Sequence, residues 1–407
     1  MSFTSATPRW ADVYLVATGR GISVCGDVLA TFALALVLQE AGHGGLAVSG
    51  LLLASTLPIA LLAPLAGRLA DRVDSRTILV VVGLAQSGVC AALAFSTHPV
   101  LIICLVTLLA CGLALTMPTI SALVPRMVSR ADFPRASGIV ASAGQIGMLV
   151  APALAGILVG QTGQRLPLLL DAVSYLGLVV VGLLVRTRRH GGTERAKAEA
   201  AFRLRDDRTL LVMTVAVAAV VAGVSAINVF DVFFVRETLG ASTTLYGLVA
   251  ASWTAGMLLG NPIAGRLPER RRTVGTVLFL LGGACAAVLV GGVVAQSAWW
   301  LVPLWMLGGV FNGALNVTTS VLIADRVLPE AHGRAFSLFG ASVQAAGIVG
   351  FFVAGPLTEM FDPRVLVVGA GAAGLLAALA CLPLVRFQPP PASRTTMRDE
   401  IGDNVAA

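Results

Sequence analysis

"VLVVGAGAAGLLAALACL", Val365 to Leu382, carries Gly369, Gly371 and Gly374 at the spacing G-x-G-x-x-G. Inside a βαβ unit that spacing marks the phosphate turn of a dinucleotide-binding domain, with an acidic residue ~20 positions on for the ribose. Only 33 residues follow Gly374, ending in "QPPPASRTTMRDEIGDNVAA", and they offer no second strand. The rival reading is an apolar helix whose small residues let a neighbouring membrane helix come close.

Composition decides between the two. Of the 407 residues 57% are hydrophobic and 12% charged, and the mean hydropathy is +0.89. Soluble domains carry roughly 25% charged residues. Twelve apolar runs approach or exceed the ~20 residues that a helix needs to cross a bilayer. They are 13–37, 46–66, 78–97, 100–123, 138–159, 167–185, 210–235, 245–264, 274–295, 299–323, 336–358 and 365–385. The last contains the opening stretch, so its glycines belong to a membrane helix and an oxidoreductase is excluded. The first run is longer than the ~7–15 residues of a signal peptide's apolar region, and is expected to remain in the mature protein. All six cysteines lie within the runs without a C-x-x-C pair, and read as small buried hydrophobes.

Basic residues follow the topology. With both termini placed inside, 24 of the 28 fall in the N-terminus, the even-to-odd loops and the tail; Arg165, Arg236 and Arg364 fall outside, and Arg20 lies in a span. This is the positive-inside pattern of a multi-pass protein of the cell (inner) membrane with both termini cytoplasmic. The net charge of +7 is thus a topology signal, with no cluster suited to nucleic acid.

The chain also repeats itself. "PLAGRLADR" at 64–72 returns as "PIAGRLPER" at 262–270. "PRASGIVASAGQIGMLVAPALAG" at 134–156 aligns with "GRAFSLFGASVQAAGIVGFFVAG" at 333–355, matching Gln145 with Gln344 and Gly156 with Gly355. Near-equal offsets imply parallel repeats of six spans. The expected domains are a six-helix bundle at 1–185, a charged cytoplasmic linker at 186–208, a second bundle at 209–386 and a disordered tail at 387–407.

This layout resembles the major facilitator superfamily of transporters across nearly the whole chain. The loop "GRLADRVDSRTIL", 67–79, is similar to its loop 2–3 motif at Gly67, Leu69, Asp71, Arg72, Arg76 and Leu79, while Asp74 and Ser75 depart from the usual glycine and basic residue. In helix 5, Gly138, Gly147, Pro152 and Gly156 resemble the pattern of the proton-driven exporters, with Ala151 and Ala155 replacing two glycines. Helix 4 lacks the arginine of many proton antiporters, so the chain looks more like the branch with macrolide and siderophore exporters. The resemblance implies an all-α fold of two pseudo-symmetric six-helix bundles and alternating access. It also implies a cytoplasmic latch in which Asp71, beside Gly67, Arg72 and Arg76, approaches the start of helix 11 near Arg334. A plainer role for the arginines is to anchor the loop to lipid headgroups.

Four charged side chains lie in the spans, each costing about 2.5–3.5 kcal/mol at mid-membrane: Arg20, Asp27, Asp171 and Asp231. Asp27 sits mid-way along helix 1, and Arg20 projects from nearly the same face about 10.5 Å away along the axis. Asp27 either faces a wet cavity, where it takes and releases protons, or serves a polar group on a neighbouring helix. Asp231 shares a face with Asn228 at i, i+3, and reads equally as a cavity residue, an outer gate or a solvated terminus. Asp171, a few residues into helix 6, reads first as interface structure. Gln145 and Gln344 are mid-span amides suited to substrate or to bonds between helices. Phe230, Phe234 and Trp253 are candidate substrate walls or core, and Trp299 and Trp300 interface-belt residues.

No P-loop is present, since the one lysine, Lys197, follows Ala196. The four histidines lie in loops without nucleophile–base or zinc spacing, so neither a metal site nor an enzyme is expected. The expectation is a secondary transporter that exports drugs or secondary metabolites by proton antiport. It would use the proton gradient rather than a cofactor, and its partners would be small-molecule substrate, protons and lipids, with no obligate protein partner. The alternatives are an importer or lysophospholipid flippase on the same scaffold, or a non-transporting membrane sensor.

Overall fold

A computed structural model describes residues 9–187, 204, 207–266, 268, 273–327 and 331–385, apart from the side chains of Ala70, Asp71, Leu384 and Val385. Among these residues regular structure is helical, with no strand. The first half comprises α1 (Trp10–Glu40), α2 (Gly44–Arg72), α3 (Ser75–Ala94), α4 (Pro99–Met127), α5 (Phe133–Thr162) and α6 (Arg165–Leu184). The second comprises α7 (Arg208–Val224), α8 (Ile227–Phe233), a π-helical turn (Phe234–Thr238), α9 (Thr243–Gly265), α10 (Val274–Val294), α11 (Leu301–Arg326), α12 (His332–Met360), α13 (Pro363–Ala380) and the short α14 (Leu382–Val385).

Eleven of the described helical segments are long and apolar enough to cross a membrane, α7, α8 and the π turn counting as one. The twelfth span is α9, whose 23 residues suffice in length but include Thr243, Thr244, Ser252, Thr254 and Asn261. Asp74, Asp207, Ser242, Thr273 and Asp362 start helices by accepting a backbone N–H, the usual task of short polar residues there. Asp74, the departure from glycine in the 2–3 loop, accepts the Arg76 amide at 2.8 Å and so opens α3. The run 210–235 is not one straight helix: it breaks at Ser225 and Ala226 and widens to π form after Phe233. Gly350 of α12 lies against the Ala222 carbonyl just before that break.

Close backbone approach holds the helices together, as expected where lipid supplies no hydrophobic drive between them. Gly371 of α13 rests on the backbone of Leu289, and Gly374 on Cys285, both in α10; a side chain at Gly369 would meet nothing within 4 Å. Two of the three opening glycines are thus packing residues. Gly256 and Gly260 of α9 face the carbonyls of Met306 and Val310, while Gly309 and Gly313 of α11 face those of Trp253 and Met257. The sequence shows these as a pair of G-x-x-x-G spacings.

Successive spans alternate in direction, so residues 9 and 385 and the arginine-rich loops share one end. The halves join at the opposite end, where α2 packs on α12 and α5 on α9. There Gly156 and Gly247 lie against each other, Ser49 donates to the Phe351 carbonyl, and the Leu46 amide donates to Glu359 at 3.4 Å. About five turns away on the same helix faces, toward the arginine-rich end, a side chain at Gly67 of α2 or Gly138 of α5 would meet nothing within 4 Å; the same is true of Gly340, about three turns before Phe351. The halves therefore enclose a wedge, shut at one end and open at the arginine-rich end. Most of the linker and the whole tail named above, 387–407, lie outside the described residues.

Candidate functional site

Two separate places emerge, one inside the first half and one between the halves. Asp27, half-buried on α1, accepts a hydrogen bond from the Tyr175 hydroxyl of α6 at 2.5 Å. Both border a cavity of about 40 Å³ that Asp171, Thr31 and Ser55 also line, its remaining wall being apolar residues of α1, α3 and α4. Such a space admits a few waters, at ~10–15 Å³ each. Every lining residue belongs to the first half.

Asp171 was read as interface structure. Here it is fully buried and faces the same cavity as Asp27, accepting from Ser174 at 3.0 Å and from the Cys90 thiol at 3.2 Å. Cys90 is therefore more than a small hydrophobe. All six cysteines are free. Arg20 does not reach this cavity: it donates to the Met117 sulfur at 3.0 Å, and its guanidinium lies over Gly144 of α5. Tyr175 was missed in the sequence, although "DAVSY" sets Ser174 and Tyr175 at i+3 and i+4 from Asp171, on one helix face.

In the second half, Asp231 and Asn228 do not act together. Asp231 is buried, with the Trp305 side chain beside it and its Oδ1 unpartnered among the described residues. It is thus not a solvated terminus. Asn228 is exposed, and its amide bonds back to the Ser225 carbonyl at 3.1 Å. The two side chains diverge although both lie in α8. Phe230 and Phe234 are core and Trp253 packs on Gly308, whereas Trp299 and Trp300 are exposed.

The wedge between the halves is bordered by α2, α5, α9 and α12. Gln145 precedes Gly156 by about three turns on one face of α5, and Gln344 precedes Gly355 by the same interval on α12. Gly156 touches α9, and Gly355 touches Ser49 of α2. Both glutamines are exposed and look across the opening from pseudo-equivalent positions. Of the helix 5 pattern, Gly147 lies against Gly21 and Cys25 of α1, Pro152 and Gly156 meet Gly247 of the other half, and Gly138 faces open space. One motif thus links Asp27's helix to the other half.

Among the described residues, no hydrogen bond or ion pair joins the latch positions on the 2–3 loop to the start of α12. An added side chain at Gly67 would find nothing nearby, and Arg72 and Arg334 are exposed. Arg76 is half-buried behind the α3 cap. The Asp71 side chain lies outside the described residues.

Twelve membrane spans in two like halves around a wedge, with carboxyls buried inside them, define a polytopic transporter of the major facilitator superfamily rather than an enzyme. The chain belongs to the transmembrane secretion effector family, whose model matches residues 12–401. Among similar proteins is macrolide efflux protein A of Streptococcus pyogenes, 21% identical over 86% of this chain and 89% of that one. The multidrug resistance protein MdtG of Serratia proteamaculans is 25% identical over 87% and 90%. A bacterial homologue of the human lysosomal transporter Spinster, solved in an inward-facing and occupied conformation, superposes with a TM-score of 0.75 at 15% identity, covering 96% of this chain and all of that one.

Proposed function

We propose that this chain exports small organic molecules across the cell membrane in exchange for protons, by alternating access. The arginine-rich end is taken as cytoplasmic by the positive-inside rule, which puts both termini inside and makes the wedge an inward-facing vestibule. Gln145 and Gln344 offer amides to the cargo there. Asp27 is the proton-binding group. The observation that carries this reading is the Asp27 carboxyl, bonded to Tyr175 beside a water-sized cavity, on a helix that packs directly against α5.

The proton and the cargo then occupy different places and communicate through one helix contact. Gly21 and Cys25 of α1 lie against Ala143 and Gly147 of α5, on either side of Gln145. Proton binding favours one orientation of the halves and cargo the other, because a ligand shifts such a balance only through unequal affinity for the two states. The efflux proteins named above support a bulky, partly apolar cargo such as a macrolide.

Transport in inverted membrane vesicles tests this. A macrolide should accumulate when the lumen is acid, and a protonophore should stop it. Asp27→Asn should insert normally and lose proton-driven uptake; unchanged uptake would remove Asp27 from the mechanism.

A further inference from the structure

We propose that Asp171 is a second proton-carrying group and shares a proton with Asp27, so that the proton site is a carboxyl pair housed within the first half. Its use in transport rests on the antiport reading above; its existence does not.

The geometry is specific. Asp171 is wholly buried and lies against Gly26, the residue before Asp27, so closely that a side chain at Gly26 would strike its Oδ1. Both acids and Tyr175 line one cavity. Their hydrogen-bond partners are neutral: Tyr175 for Asp27, Ser174 and Cys90 for Asp171. The nearest cation along α1, Arg20, is turned to Met117. Cys25 packs against Gly147 of α5. Into the cavity α2 contributes Ser55 and α4 only apolar residues, so neither adds a titratable group. No cation lines the chamber, and Arg20 acts on Asp27 only from a distance; two carboxylate charges there repel each other, and such a site settles by keeping one proton between them.

Cys90 shows how both states of Asp171 are accommodated. Its sulfur lies 3.2 Å from Asp171 Oδ2 and 3.3 Å from the Leu168 carbonyl, but a thiol has a single proton to give. With Asp171 ionised, the thiol donates to the carboxylate. With Asp171 protonated, the acid donates to sulfur and the thiol turns to Leu168. The proton gained by Asp171 is the one released by Asp27, passed directly or through a cavity water that takes one proton as it gives another, and no bond other than O–H is made or broken.

Infrared difference spectra of the purified, substrate-free protein in nanodiscs, recorded as the pH is stepped, read the carboxyl bands directly. The wild type should titrate in two linked steps, as interacting acids do. Asp171→Asn and Asp27→Asn should each leave a single step, lying below the upper wild-type step by about one pH unit or more, because the charge that raised that step is gone. A single step left at the upper wild-type midpoint in either variant would overturn the pairing. Cys90→Ala retains both acids and guards against misfolding of the Asn variant: it should shift the Asp171 band, and an unmoved band also counts against the site. Linked bands in a protein that fails to couple transport to protons would sink the antiport reading alone.

Discussion

Arg236 and Glu40 join the two halves through an ion pair of 2.8 Å at the end away from the arginine-rich loops. Gln39, the residue before Glu40, donates to Glu237, the residue after Arg236, at 3.0 Å. These contacts sit where the end of α1 meets the π turn that closes the corresponding span of the second repeat. They hold the wedge shut on that side.

The Glu40 side chain is 40% exposed and that of Arg236 19%, so the pair is worth only ~0.2–1 kcal/mol. Glu40→Gln should therefore shift the balance of the two orientations by roughly 1.5- to 5-fold toward opening at this end. Distances between spin labels placed on α2 and α12 near residues 46 and 358 check this, and high salt should mimic the substitution.

Gly156 and Gly138 belong to one motif but predict opposite outcomes. Gly156→Ala drives a methyl group into the Thr243 carbonyl and the Gly247 backbone, an overpacking that costs about 1–3 kcal/mol and should loosen the α5–α9 contact. Gly138→Ala should leave that contact intact. Cysteine crosslinking between α5 and α9 at the closed end distinguishes them; equal losses would contradict the assigned packing.

The opening glycines make a similar pair. Gly371→Val should lower the melting temperature of the detergent-solubilised protein, since Leu289 backbone occupies the space. Gly369→Val, facing open space, should be tolerated with a change of less than about 0.5 kcal/mol. A reversed order would mean that α13 is rotated about its axis.

Asp12 is buried and accepts both the amide and the hydroxyl of Thr187, at 3.0 and 2.7 Å. It pins the exit of α6 to the entry of α1. Asp12→Ala strands a buried N–H and should cost about 1–3 kcal/mol, against about 0.5–1.5 kcal/mol for Thr187→Ala, which removes the hydroxyl bond only. Chemical denaturation gives the ranking.

Much of this was readable without coordinates. Lipid leaves a chain few choices, so apolar run length marks the spans and arginine placement marks the ends; the start of each run agrees with its helix to within a few residues in most spans. The repeat register paired Gln145 with Gln344, and the charged span residues singled out Asp27. Less legible was anything that depends on helix rotation. Asp231 and Asn228 share a nominal face, yet one is buried and the other exposed. Asp171 gave no hint that it meets Asp27, because the two come together only where α6 crosses Gly26.

Sequence alone determined that this chain spans the membrane twelve times in two like halves, because hydropathy and charge are local properties that a bilayer reads one segment at a time. Tertiary structure alone decided which acids share a chamber, which glycines touch, and which end of the wedge is closed. Those depend on the rotation and tilt of each helix against its neighbours, set by backbone contacts between residues far apart in the chain.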